Sequence, residues 1–207
     1  MAKKNIPKTG TTTCQLANYK SLVKSLDKMT GVDAKKVIEK CTKDAQNRAP
    51  AWVSAAVSEV YTIKKSEVKS SLDGKGRGNS KLKIKGDLVR SVVLIYKGRP
   101  LTPTHFKMKP TQRKKKPYRV SMEVFKGKRV NLPEGTFLGT SGKKGTKQIP
   151  FQRIGESRYP IKSIKTTSVP QMIGNKQVEP IIQQNIDQGL SKRLENHVKQ
   201  MLAKAQN

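Results

Sequence analysis

The chain has 207 residues, of which 34% are hydrophobic and 5% aromatic, enough for one modest core rather than several. Forty-four Lys and Arg against 14 Asp and Glu leave a net charge of +30, which opposes compaction and calls for a polyanionic partner. No apolar run approaches about 20 residues, so nothing is expected to span a membrane, and the excess of Lys over Arg favours loose phosphate contact over base reading.

Residues 1–13, with Lys3, Lys4, Pro7, Lys8 and three threonines, read as a mobile basic arm without the apolar stretch of a signal peptide. A helical segment is expected over residues 14–72. Leu16, Tyr19, Leu22, Val23 and Leu26 keep helical spacing, and Gly31 ends that run. Asp33 is placed to cap a second helix bearing Val37, Ile38, Cys41 and Ala45. Pro50 is placed to open a third, through Trp52, Val53, Ala56, Val57 and Val60. A short helix over Ser66–Leu72 closes the segment. Cys14 and Cys41 lack C-x-x-C spacing and read as ordinary thiols of a chain made and folded in cytoplasm.

Residues 73–80 hold three glycines and no apolar side chain, and so form a linker. A phosphate loop would need a strand before it and a helix after it, the reverse of the order here. From residue 81 the apolar period becomes two: Leu82 and Ile84, the run Leu88–Tyr96, then Tyr118, Val120, Met122 and Val124. Gly127 turns the chain into Val130. Phe137 and Leu138 begin another strand, and residues 139–147 form a flexible hairpin before Ile149 and Phe151. Residues 81–174 therefore predict a small antiparallel sheet with long basic loops and one wet face.

The terminal helix, 175–207, carries Val178, Ile182, Ile186, Leu190, Leu194, Val198 and Leu202 at intervals of four. Each step drifts about 40°, roughly 240° in all, so a straight helix cannot bury both ends of the stripe on one surface. The half before Gly189 is expected on its own sheet. The half carrying Leu190, Leu194, Val198, Met201 and Leu202 is expected on a neighbouring subunit or another part of the chain. Removing residues 191–207 would then leave a folded monomer that cannot assemble. The whole reads as α+β, with residues 14–207 forming one domain.

The densest charge comprises Lys107, Lys109, Arg113, Lys114, Lys115, Lys116, Arg119, Lys126, Lys128 and Arg129, opposed only by Glu123. Pro103, Pro110 and Pro117 keep its first part irregular, which suits a sequence-independent, salt-sensitive contact with DNA phosphates. Lys143 and Lys144 form a second, weaker group. Phe106, Tyr118 and Phe125 are too few for base stacking, and contact with a duplex backbone is expected. Catalysis finds no foundation: His105 and His197 are isolated, carboxylates are scattered, and no G-x-S-x-G frames a serine. No metal and no cofactor is expected.

Two X-Pro elements complete the pattern. Phe151, Arg153, Gly155, Ser157, Arg158, Pro160 and Ile161, followed by Ser168-Val-Pro-Gln-Met172 and preceded by Gly135-Thr-Phe-Leu138, resemble the signature of the phage minor tail protein Z family. Ala55–Tyr61 with Ile63-Lys-Lys-Ser66 resembles the family's N-terminal half more weakly. The resemblance implies a tail-completion subunit: a homo-oligomeric ring, expected to be hexameric, at the head-proximal end of a tail. It would be a virion component assembled in the host cytoplasm, touching other neck and tail proteins and presenting basic loops to DNA. Phe151, Arg153, Arg158, Tyr159, Pro160, Val169, Pro170 and Met172 would belong to a stiff assembly strap, since each proline restricts itself and the residue before it. Composition alone also accommodates a monomeric, non-specific nucleic-acid-binding protein of ribosomal or nucleoid type.

Overall fold

The computed structural model describes residues 9–15, 31–72, 83–85, 91–140 and 147–205. The expected helix at 16–26, the glycine run at 73–80, and Lys143 and Lys144 lie outside them.

Helix α1 (Gly31–Val60) is one element where the sequence suggested two. Pro50 lies inside it and is buried, and Asp33 lies within its first turn rather than ahead of it. A proline there removes one ladder hydrogen bond. The helix nevertheless continues because Val37, Cys41, Ala45, Ala49, Val53 and Val57 form one buried stripe along it. Helix α2 (Lys65–Leu72) follows as expected.

Residues 9–13 are not a free arm. Strand β1 (Thr9–Gln15) pairs antiparallel with β3 (Ser91–Lys97), from Thr9↔Lys97 to Gln15↔Ser91, and β2 (Lys83–Lys85) takes the other edge of β3. The threonines that suggested a polar arm are β-branched and suit a strand. Among the described residues the single expected sheet is three, each antiparallel and three-stranded. The second comprises β4 (Lys107–Lys109), β5 (Ser121–Glu123) and β6 (Arg129–Asn131). The third comprises β7 (Phe137–Thr140), β8 (Gln148–Arg153) and β9 (Ile161–Ser163).

The strap folds back on itself. Phe151↔Ser163 through Arg153↔Ile161 make residues 151–163 a β8–β9 hairpin closed by Ile154 N–H donating to the Pro160 carbonyl at 3.1 Å. Beyond it, Thr166 N–H donates to Leu101 O (2.7 Å) and Leu101 N–H to Thr167 O (3.2 Å), pinning the chain before Ser168. Pro170 then sits in the first turn of helix α3 (Val169–Ile173), where its missing N–H costs nothing. Ser168 and Gln171 cap that turn reciprocally. Val169, Pro170 and Met172 are core residues, not surface ones.

Helix α4 (Glu179–Ala205) runs antiparallel to α1. Val178, Ile182, Ile186 and Leu190 join Ala45, Ala49, Val53, Ala56 and Val57 in the main core. Leu194, Val198 and Met201 pack with Val37, Ile38 and Cys41 in a smaller one. The second half of the helix thus meets another part of its own chain, and of the expected interface residues only Leu202 stays exposed. Both stripes advance by four residues, so both drift in the same sense and stay face to face. A period above 3.6 implies a right-handed winding of the pair.

Candidate nucleic-acid interface

The loop from 110 to 120 joins β4 to β5, and residues 111–117 are all exposed. It is irregular for the reason the prolines suggested, yet it is tied down at two points. Arg113 N–H donates to Gln148 Oε1 on β8 at 2.6 Å. The Tyr118 hydroxyl accepts from Leu138 N–H on β7 at 3.1 Å, while Val120 is buried against Met108, Leu132 and Leu138. These ties hold Arg113, Lys114, Lys115 and Lys116 beside the third sheet.

Across from them stand Arg153, at the end of β8, and Arg158 and Tyr159, in the β8–β9 turn. The two groups face each other over a cleft of about 1070 Å3. Glu134 and Glu156 also line it, so six cations less two carboxylates leave +4. Phe137 contributes to the lining and stacks on Phe151 with ring centroids 6.1 Å apart. The Arg153 guanidinium lies 5.8 Å over the Phe137 ring, and that of Arg158 lies 5.8 Å over Tyr159. Such cation–aromatic contacts fix flexible arginines at modest cost.

The remaining cations go elsewhere. Lys109 and Arg119 line a second depression, of about 790 Å3, which shares Arg113, Lys114 and Tyr118 with the cleft. Arg119 pairs with Glu134 at 3.7 Å. Lys107 and Arg129 both reach Glu123, at 4.0 and 3.3 Å, at the opposite end of the second sheet. Lys126 and Lys128 flank Gly127, whose φ of +76° makes the β5–β6 turn. That end docks on the helices through Thr62 N–H to Val124 O (2.9 Å) and Lys126 N–H to Val60 O (3.0 Å). The ten-cation segment is therefore split, and its four consecutive cations join the strap's two arginines instead. Phe137 and Glu134 have no local signal marking them as cleft residues, because only strand register brings them there.

The histidines serve the framework. His105 Nδ1 lies 2.9 Å from Glu67, and His197 Nε2 lies 3.2 Å from Asp44, which Arg193 also reaches at 3.5 Å. Among the described residues no group of three or more His, Cys, Asp or Glu could hold a metal, and no helix is long and apolar enough to cross a membrane.

A family model described as prophage minor tail protein Z (GPZ) matches residues 16–206. No curated protein and no solved structure matches the chain.

Proposed function

The chain belongs to the prophage minor tail protein Z family and is a structural component of a phage tail, and from that premise we propose that it is a tail-completion subunit whose cationic cleft faces DNA. In this reading several copies, expected to be six, form a ring at the head-proximal end and mediate head–tail joining. The observation that carries it is the convergence of Arg113–Lys116 with Arg153 and Arg158 across one cleft, with a net +4. Backbone-directed binding needs clustered cations and no base reader. Leu202, exposed at the end of α4, is with Val130 and Ile154 among the large apolar side chains open to a neighbouring copy or another neck protein.

Electron-microscopic imaging of assembled particles tests the position. Density for this subunit at the head-proximal end of the tail supports the reading, and density at the tip or along the tube rejects it. Light scattering tests the ring: a strict monomer, both free and on assembled tails, rejects it.

A further inference from the structure

We infer that the cleft takes a single-stranded segment of nucleic acid, with a base stacked on Tyr159 and the neighbouring phosphates held by Arg113–Lys116, Arg153 and Arg158. This rests on the reading that the cleft meets nucleic acid, and it narrows which form.

Three observations carry it. The first is scale: about 1070 Å3 is close to the upper range of pockets for single small molecules, roughly 300–1,000 Å3, and has room for a few nucleotides. The second is the placing of aromatic rings. From the sequence they seemed too few and dispersed, but the fold gathers Tyr118, Phe137 and Tyr159 into the lining of one cationic concavity. A duplex keeps its bases stacked inside, out of reach of rings on the protein surface. An unpaired strand offers a π-face at every nucleotide. The third is Tyr159 itself, which remains 65% exposed although Arg158 lies over its ring. A large aromatic at a hairpin turn, next to a guanidinium and facing a cationic cleft, supplies both parts of a stacking platform.

Fluorescence anisotropy with the full-length chain tests this, using labelled oligo-dT of about 12 nucleotides and a duplex of the same length over a range of NaCl concentrations. The parent chain binds the single strand more tightly. Tyr159→Ala weakens that binding by about 5- to 150-fold, the worth of one stacked base, and leaves duplex binding unchanged. Tyr159→Phe keeps the affinity. Tyr159 is exposed, and an unchanged melting temperature verifies that the fold survives. Equal or tighter duplex binding by the parent overturns the inference, as does a Tyr159→Ala effect that is absent or the same for both ligands. Replacing Arg113–Lys116 with Gln separates the two layers. If affinity and salt slope then stay unchanged for both ligands, the nucleic-acid reading of the cleft itself fails. If both fall while Tyr159→Ala shows no selective effect, only the stacking inference fails.

Discussion

A Cβ built on Gly189 would stand 2.4 Å from Cζ2 of Trp52, closer than two carbons can sit. Glycine inside a helix ordinarily costs about 1 kcal/mol relative to alanine. Forcing a methyl group against a packed indole costs about 1–3 kcal/mol. The second effect wins, so Gly189→Ala lowers the melting temperature. In a Trp52→Leu background the clash is gone and the same substitution becomes stabilising. Thermal denaturation of the four chains reads that reversal of sign directly. Cys41, on the same helix pair, provides a pH test. Burial, with a further contribution from Asp44, pushes its thiol up from 9.0 to about 12. The unfolded chain therefore sheds this proton first, and stability is lost as pH rises from about 9 towards 12. Cys41→Ala removes that contribution. Its urea midpoint falls less between about pH 8 and about pH 10.5 than the parent's.

At the scale of elements, the antiparallel pair α1–α4 decides what the end of the chain does. Val198 closes the small cluster with Val37 and Cys41, so Val198→Asp places a carboxylate in an apolar site, at a cost of several kcal/mol. Hydrogen-exchange protection is then lost around Val37–Cys41 while Val53–Val57 stay protected by the main core. Removal of residues 191–207 acts the same way: it unravels the first turns of α1 instead of leaving an intact monomer. The sequence carried this in two halves. The four-residue stripe of α4 was legible, but its match on α1 was hidden because Pro50 divided that helix on paper. Strands were partly legible from period-two runs: of Tyr118–Val124 only Ser121–Glu123 is strand, and the grouping into three sheets depends on partners far apart in sequence. Thr9–Gln15 pairs with Ser91–Lys97 across about 80 residues, a choice that no local preference specifies. The cleft was half legible for the same reason. Its two walls appear as Arg113–Lys116 and Arg153–Arg158, but their meeting rests on single anchors such as Arg113 N–H to Gln148 Oε1.

For the whole molecule, 44 cations and 14 carboxylates leave 30 positive charges that no acidic side chain can pair one-to-one. Ion pairs such as Lys107–Glu123 and Arg119–Glu134 are largely exposed on at least one side, and such pairs contribute at most about 1 kcal/mol each. Added salt weakens those pairs, but it also screens the repulsion among the unpaired cations, which are far more numerous. At 0.01 M ionic strength a charge is felt over about 30 Å, whereas at 0.15 M the range is about 8 Å. Repulsion therefore dominates at low salt, and the melting temperature rises as NaCl is added. A polyanion at low salt raises it further, because a ligand that binds the folded state stabilises it by mass action. The variant with Gln at 113–116 loses four clustered charges. Its melting temperature starts higher at low salt and climbs less with NaCl. A melting temperature that is flat or falls with NaCl would mean that pairing outweighs repulsion. A charge of +30 would then be a property of the folded subunit itself instead of a surface awaiting its partner.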